Sequence, residues 1–155
     1  DNIKNPTKFY IVDTYKPSTA EYYNLWDAHQ TTNSNNIATA TIKTVYDPSP
    51  AGFCVPTGNL YKYISDVNKV VFTWDDANKG RNLPSSTSND VFFPASGYRA
   101  RGSGSITNDN TEGYYWSASA CYGYSGHYFN FTSSKRFWHN SYRANGFSVR
   151  AVAEE

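Results

Sequence analysis

Aromatic and small polar residues near the carboxyl end are the side chains of this protein best suited to molecular recognition. The stretch from Tyr114 to Val152 is rich in Tyr, Trp, Phe, Ser, Gly, His and Asn, and no Asp or Glu occurs between Gly113 and Arg150. Tyr and Trp offer a large contact area for few lost rotamers, while Ser, Gly and Asn offer adaptable hydrogen bonds. The pattern therefore favours a contact surface in this stretch. The aromatic residues that we predict to lie in loops or on an outward strand face are Tyr122, Tyr124, Tyr128, Phe137, Trp138 and Tyr142.

Two sets of side chains could instead bind a metal ion. His127 and His139 could form a pair, but no Cys, Asp or Glu lies beside either of them, so contact or solvent-exposed histidines are favoured. Asp75, Asp76 and Asp109 could bind Ca²⁺, but they lack the spaced run of oxygen donors of a recognised calcium loop. We therefore predict no metal site and no cofactor.

Signatures of catalysis are missing from the sequence. It contains no Gly-x-Ser-x-Gly, no His-Glu-x-x-His and no phosphate-binding glycine loop. Cys54 and Cys121 could form one disulfide, but neither has Cys-x-x-Cys spacing or a companion at metal-ligand spacing, so two free thiols are preferred. The sequence therefore predicts a protein that is not an enzyme.

Length and charge limit the number of domains and the classes of protein to which the sequence can belong. The 155 residues predict a single domain over 1–155, and 14 basic against 13 acidic residues give a net charge of +1. This balance excludes the strongly basic signature of a nucleic-acid-binding protein. No run approaches the roughly eighteen apolar residues of a membrane span, so no membrane insertion is predicted. No signal peptide is visible, so we expect Asp1 to begin a mature or trimmed protein.

The elements that must position these residues fall into three parts. Residues 1–44 are predicted to form a strand and a short helix, residues 45–112 a framework with a helix near 58–67, and residues 113–155 the contact region. Thr57 can cap the helix, and its buried face is predicted to carry Leu60, Tyr61, Ile64 and Val67. Predicted strands are Lys8–Val12, Ala38–Val45, Val70–Trp74 and a central final strand at Phe147–Ala151, and Asp90–Arg99 is predicted as a strand that runs into a turn. Predicted loops are Asp75–Asn89 and Arg101–Asn110.

Alternation from His127 to Thr132 indicates a strand with two different faces. Phe129 and Phe131 share one face, which we assign to the core, and the other face carries Tyr128, Asn130 and Thr132. The rings predicted to pack in the core are Trp116, Phe129, Phe131 and Phe147.

Four motifs in fixed order carry a resemblance to known families. They are Tyr46–Thr57, Phe93–Arg99, Gly113–Ser119 and Arg143–Arg150. The series resembles the major paralogous domain of Fibrobacter-type and gut bacterial surface proteins, and also the C-type-lectin-fold variable proteins of diversity-generating retroelements. It extends from about Val45 to the C-terminus.

This resemblance implies an α+β, C-type-lectin-like fold, shared with formylglycine-generating enzymes, with short antiparallel strands, few helices and long loops. It further implies diversification at Tyr122, Gly123, Tyr124, Ser125, His127, Tyr128, Asn130, His139, Asn140, Ser141 and Tyr142, with Lys135 and Trp138 as framework. The predicted ligand contacts are then Tyr122, Tyr124, Ser125, His127, Tyr128, Asn130, Trp138, His139, Asn140 and Tyr142. The ligand would be a protein or a glycan. The protein would be extracellular or located on a bacterial cell surface, and it could be attached there by a lipid anchor upstream of Asp1.

A paired departure from the family pattern is visible at Ser49 and Ala151. Relatives often carry Cys where this chain has each of these residues. The resemblance therefore predicts that Ser49 and Ala151 are neighbours in space, with Cα atoms within the roughly 7 Å that a disulfide spans.

Three other functions stay open. A carbohydrate-binding lectin or fimbrial adhesin would use Trp138 and Tyr142 to stack on sugars, and a structural surface subunit would use the same rings as an interface between copies. An enzyme related to the formylglycine generators ranks last, because Cys54 and Cys121 do not form a recognisable reactive pair.

Overall fold

A computed structural model describes residues 26–30, 40–86, 89–121 and 125–154. Within them the fold is mixed α+β, made mostly of strands with one short helix, which confirms the predicted class. No helix in these ranges is long and apolar enough to cross a membrane. The predicted strand Lys8–Val12 lies outside the described residues. The elements are β1 Phe53–Cys54, α1 Gly58–Ser65, β2 Thr73–Asp75, β3 Gly80–Leu83, β4 Val91–Pro94, β5 Ser96–Arg99, β6 Ile106–Asp109, β7 Gly113–Cys121, β8 Ser125–Phe131, β9 Arg136–Tyr142 and β10 Val152–Ala153.

Helix α1 lies where the periodicity predicted it, but its buried face is narrower. Tyr61 and Ile64 are buried, whereas Leu60 and Val67 are exposed, so their predicted burial is wrong. The helix ends at Ser65, which removes Val67 from the helical stripe. Thr57 occupies the N-cap position without a side-chain cap hydrogen bond. The first helical N–H, that of Gly58, instead donates to Ser119 Oγ at 2.9 Å, which attaches the helix to β7.

Among the described residues, the main sheet has five strands in the order β6-β5-β7-β8-β9. Strand β7 is buried along its whole length, and it pairs antiparallel with β8, with a register shift between Trp116 and Ala120. Strand β8 in turn pairs antiparallel with β9. Strand β7 therefore occupies the centre, and the pairing places successive residues of β7, β8 and β9 on alternate faces.

The predicted central strand at Phe147–Ala151 is wrong. Strands β5 and β7 are joined only through the pair Gly97 and Gly113, and the chain around Ser148 lies beside both of them. Ser148 exchanges backbone hydrogen bonds with β7, while Gly146 exchanges two with Arg99 of β5. This segment thus fills the space where β5 and β7 diverge, and it makes isolated bridges rather than a full strand.

Two predicted loops contain strands. Strand β3 lies within Asp75–Asn89 and pairs with β2 and β4, and β6 lies within Arg101–Asn110 and pairs with β5. The burial of β3 rests on a charged residue, because the Arg81 side chain donates to the backbone oxygens of Phe72 and Thr132 and lies over the Phe72 ring. Apolar periodicity could not detect a strand held in this way.

Two further predicted strands need correction. In the described part of Ala38–Val45, only Lys43 pairs, through an isolated bridge to Asp27. Lys43 Nζ donates to the carbonyl oxygens of Ser49, Pro50 and Phe53, so this segment supports a turn instead of extending a sheet. The strand expected at Val70–Trp74 is displaced towards the carboxyl end, where it forms β2.

Aromatic side chains fill both faces of the β7–β8 pair. The inner aromatic layer consists of Tyr61, Phe72, Phe93, Tyr115, Phe129 and Phe131. The outer aromatic layer consists of Tyr98, Tyr114, Trp116, Tyr128 and Phe147. Tyr61 of α1 stacks on Phe129 at 5.4 Å, and Trp116 stacks on Phe147 at 4.3 Å. The core assignment of Trp116, Phe129 and Phe131 is confirmed, and Phe147 is half-buried.

Candidate functional site

Strand β9 presents the most exposed part of the predicted contact region. It is last in the strand order of the described sheet, and exposed residues occur on both of its faces, because the neighbours His139 and Asn140 are both exposed. The Phe137 and Tyr142 rings are 37% and 43% exposed. We define the β9 surface as the exposed residues Phe137 and His139 on one face of the strand and Asn140 and Tyr142 on the other. It contains three of the predicted ligand contacts, together with Phe137.

The intervening residue Trp138 attaches β9 to the interior. Its ring packs against the inner aromatic layer and stacks on His127 at 4.6 Å. A Cβ atom on Gly58 would come 2.6 Å from Trp138 Cη2, so the helix approaches the indole closely. Although Trp138 was predicted as a ligand contact, this half-buried placement favours the framework role that the resemblance implied.

Three other predicted contacts are not on the surface. Ser125, His127 and Asn130 are only 9%, 5% and 8% exposed. The predicted outward placement of Asn130 is therefore wrong. The reason is that β8 lies between β7 and β9 and has an aromatic layer on each face. Period-two alternation predicts which residues share a face, but it does not predict that both faces are covered.

Hydrogen bonds give two of these buried residues structural roles. Asn130 Nδ2 donates to Glu112 Oε2 at 3.2 Å and to the Gly113 carbonyl oxygen at 3.0 Å. His127 Nδ1 lies 3.3 Å from the His139 carbonyl oxygen, and burial lowers the pKa of His127. Both side chains hold β8 against its neighbours.

Tyr128 lies at the boundary between the outer aromatic layer and the β9 surface. Its ring is 4.7 Å from that of Phe147 and 6.4 Å from that of His139. Burial raises the pKa of Tyr128, and the Glu112 carboxylate raises it further. The half-buried Tyr128 and the exposed His139 are therefore cross-strand neighbours on one face of the sheet. Phe137, at 5.4 Å from His139, lies on the same side.

The turn after β9 brings in an arginine that sequence reasoning missed. The Arg101 guanidinium lies 4.2 Å from the Tyr142 ring centroid. The Arg101 backbone N–H donates to Asn145 Oδ1 at 3.1 Å, and Asn145 Nδ2 donates to Ser141 Oγ at 3.0 Å. Arg101 belongs to the predicted loop Arg101–Asn110. A cationic side chain over Tyr142 gives this end of the β9 surface a directed polar group.

A small cavity of about 90 Å³ lies at the same end of the sheet. Trp26, Trp116, Gly126 and Arg143 line it, together with residues 117–120 of β7. Tyr122 and Tyr124 fall outside the described residues, so their predicted role stays a prediction.

The alternatives that required a metal receive no support from the geometry. In the β8–β9 register His127 pairs with Asn140 and Tyr128 pairs with His139, so the two histidines project from opposite faces. Within the described residues, no group of three His, Cys, Asp or Glu side chains could hold a metal ion.

The predicted free state of both cysteines is confirmed. Cys54 and Cys121 are buried and make no disulfide. Burial raises the pKa of each thiol, which disfavours the reactive thiolate form.

Comparison with known proteins gives a family without an assigned activity. A family model described as a domain of unknown function, DUF8237, matches residues 59–152. Neither curated proteins nor solved structures gave a match. The matched residues begin in α1 and end in β10, so they include both aromatic layers, the β9 surface and most of the cavity lining.

Proposed function

We propose that this chain, which belongs to the DUF8237 family, is a non-enzymatic binding protein whose β9 surface recognises a protein or cell-surface ligand. One observation carries the proposal. The Phe137 side chain is exposed on one face of β9 and the Tyr142 side chain on the other, while Trp138 is half-buried and packs against the interior. Tyr is one of the residues in which binding hot spots are enriched.

The chemistry of the β9 surface suits recognition. Phe137 and His139 form one ring pair, while Tyr142 carries the Arg101 guanidinium over its face. The rings would bury apolar area on binding, and Asn140 and Arg101 would supply directed hydrogen bonds. Exposed aromatic clusters are unusual on monomeric proteins unless they are used in binding.

The proposal includes the C-type-lectin-like fold and the retroelement-type diversification that the resemblance implied. Pairing of β1 with β10 joins the start of the framework to the carboxyl end of the chain, which supports such a fold. His139, Asn140 and Tyr142 are exposed and belong to the implied variable set, whereas Ser125, His127 and Asn130 are buried. We therefore restrict diversification among the described residues to β9 and its turn. The location proposed for the domain is the bacterial surface or the extracellular space.

A pair of matched libraries tests this function. In the first library, Phe137, His139, Asn140 and Tyr142 are replaced with mixtures of Tyr, Ser, His, Asn and Gly. The control library applies the same mixtures to Phe129, Asn130, Phe131 and Trp138. After display on yeast, we expect most members of the first library to resist protease and most members of the control library to be cleaved. Panning the resistant members against unrelated proteins should then yield binders.

Two outcomes would overturn the proposal. One is equal protease sensitivity of both libraries, which would show that the β9 surface is part of the folding core. The other is a resistant library that yields no binder.

Two added measurements test the alternatives. Binding to a glycan array that requires Ca²⁺ would instead indicate a lectin. Concentration-dependent association that disappears in Phe137→Ser would indicate a structural subunit.

A further inference from the structure

Strand β9 forms an open edge of the main sheet, because among the described residues it pairs with β8 on one side only. Natural proteins protect such edges by keeping them short or by adding charges, prolines or bulges. Strand β9 has seven residues, and its register with β8 runs without a shift. Its residues 137–142 include no Pro, Asp, Glu, Lys or Arg. The edge therefore lacks the features that prevent pairing with a further strand.

The other edge strands of the described sheets differ from β9 in this respect. Strands β1 and β10 have two residues each, and β2 has three. Strand β4 has four residues and ends in Pro94. Strand β6 also has four, ends in Asp109 and contains Asn108 at a φ of 59, which lies outside the extended region. In the described part of the chain, β9 is therefore the one long edge without a charge, a proline or an irregularity at its centre.

The hydrogen bonds of the β8–β9 hairpin show which backbone groups of β9 face outward. The Thr132 N–H donates to the Lys135 carbonyl oxygen at 2.9 Å, and bonded pairs alternate from there along an antiparallel ladder. The odd-numbered residues of β9 therefore bond to β8, whereas Trp138 and Asn140 direct their N–H and C=O groups away from it. Within the described ranges, these four groups have no hydrogen-bond partner. We call them the β9 edge.

Side-chain exposure agrees with an accessible edge. His139 and Asn140 are neighbours that project from opposite faces, and both are exposed. Helix α1 contacts β9 on one face, where Gly58 approaches the Trp138 ring. A strand paired with the β9 edge would place its alternate side chains against both halves of the β9 surface.

We propose that the β9 edge binds an extended segment of the protein ligand, which pairs with β9 as an additional strand of the main sheet. The inference rests on the proposed function, because it states how the partner of the β9 surface is held. Main-chain hydrogen bonds would supply affinity, and side-chain contacts on alternate positions would supply specificity. Such pairing uses exposed residues on both faces of one strand, which is the distribution that the β9 surface has.

Charge at the two ends of β9 indicates the composition of this segment. Lys135 and Arg136 precede its uncharged centre, Arg143 follows it, and no Asp or Glu occurs from Gly113 to Arg150. Arg136 lies near Asp66 in space, whereas Lys135 is exposed. In an antiparallel pair of two β9 strands, the basic ends of one copy would lie opposite the basic ends of the other, which is destabilising. A segment with acidic residues on both sides of an uncharged centre would place opposite charges there. The partner is therefore an acidic-flanked segment rather than a second copy.

Acidic peptides test the pairing on the full chain. Three peptides, Asp-Glu-X-Thr-X-Thr-X-Glu-Asp with X as Val, Ile or Tyr, are added to ¹⁵N-labelled protein, and amide hydrogen exchange is followed by NMR. In the free protein, the Trp138 and Asn140 amides should exchange faster than those of Phe137 and His139, which bond to β8. Saturating binding of at least one peptide should slow exchange at Trp138 and Asn140 about tenfold or more.

Two control peptides separate backbone pairing from charge. The first carries N-methyl groups on two adjacent central residues, so neither of its edges can pair, and we expect it not to bind. The second has Lys in place of every Asp and Glu, and we expect binding about threefold or more weaker, because exposed ion pairs contribute modestly.

Variants of one residue locate the pairing on the protein. Asn140→Pro removes an outward N–H, and proline is tolerated on an edge strand where that N–H faces solvent. It should weaken peptide binding about tenfold or more, whereas Asn140→Ala keeps the N–H and should weaken it about threefold at most. Thermal melting verifies that each variant is folded. If Asn140→Pro does not fold, the N-methylated peptide makes the same comparison from the other side of the pair.

Charge variants test the flanks. Lys135→Glu should weaken the acidic peptides and strengthen the lysine peptide, each about threefold. The control Lys62→Glu makes the same charge change at an exposed position on α1 and should alter neither affinity.

The possible results separate the two proposals. Unprotected Trp138 and Asn140 amides with all three acidic peptides, equal binding of the N-methylated peptide, or full binding by folded Asn140→Pro would overturn the edge assignment. Tighter binding of the lysine peptide would overturn the assignment of an acidic partner. Protection of the same two amides by self-association, without peptide, would overturn both in favour of a second copy.

The β9 library completes the separation. If the library yields binders while the two amides stay unprotected, the edge assignment alone is wrong. If a peptide pairs as expected while the library yields no binder, the proposed function alone is wrong, because backbone pairing does not require side chains that can vary.

Discussion

Trp138 on β9 and His127 on β8 stack face to face, with ring centroids 4.6 Å apart and ring planes 14° from parallel. Gly58 of α1 packs closely against the same indole ring. Two aromatic residues that the composition assigned to a contact surface therefore attach β9 to the interior. The side chains of their neighbours Phe137 and His139 are exposed.

Replacing Trp138 with Ala should destabilise the protein far more than replacing its neighbour Phe137. Truncating a buried Trp costs about 3–5 kcal/mol, and since Trp138 is half-buried we expect about 3 kcal/mol. For Phe137→Ala, on the exposed side of the strand, we expect less than about 1 kcal/mol. Urea denaturation of the two variants measures both free energies of unfolding. Losses of equal size would show that the exposed ring is as much a part of the core as the indole.

Acid should destabilise the protein through His127. Burial lowers the pKa of this imidazole in the folded state, whereas in the unfolded chain it titrates near 6.5. The unfolded state then binds more protons in acid, so the stability contribution is intact above about pH 6.5 and is lost as the pH falls below that value.

Urea denaturation at pH 7.5 and pH 5 checks this dependence. We expect the loss of stability between the two pH values to shrink in His127→Asn and to persist in the control His139→Asn, whose side chain is exposed. An unchanged loss in His127→Asn would assign the acid sensitivity to other groups.

Asn130 should tolerate far less change than its implied place in a variable set suggests. In Asn130→Asp, a carboxylate would replace the amide that donates to Glu112 Oε2 and to the Gly113 carbonyl oxygen. Lost donors and repulsion from Glu112 should cost about 2–4 kcal/mol at neutral pH. The same change at exposed Asn140 should cost less than about 0.5 kcal/mol. Thermal or urea unfolding of this matched pair gives the comparison, and similar values for the two variants would contradict the assigned role of Asn130.

The sequence predicted those features that depend on local periodicity. Helix α1 carries its buried residues Tyr61 and Ile64 at three-residue spacing, and β8 carries Phe129 and Phe131 at two-residue spacing. Strand β3 was missed because its buried residue, Arg81, satisfies its guanidinium with backbone oxygens from distant segments. No local pattern of apolar residues reports such an arrangement.

The candidate site was predicted only in part for a related reason. Alternation correctly separated Phe129 from Tyr128, but the layer that covers Tyr128 includes Tyr98 and Phe147, which are remote in sequence. Tyr and Asn side chains can face either solvent or a second aromatic layer. A strand that is covered on both faces can therefore show the same alternation of apolar and polar residues as a strand with one face in solvent. The exposed residues that were expected on β8 therefore occur on its neighbour β9.

Ser49 and Ala151 supply a final prediction, which tests the family resemblance directly. Ser49 Oγ is buried without a hydrogen-bond partner, which disfavours a hydroxyl group at this position. If relatives carry a disulfide here, the double variant Ser49→Cys with Ala151→Cys should form one under oxidising conditions and gain about 2–4 kcal/mol of stability. Mass spectrometry after alkylation identifies the bond, and urea denaturation with and without a reductant measures the gain.

The single variant Ser49→Cys controls for the removal of the hydroxyl, and its stability should not depend on the reductant. Two thiols that stay fully alkylatable in the folded double variant would show that the positions are not neighbours, which would remove the paired departure from the argument for a C-type-lectin-like relative.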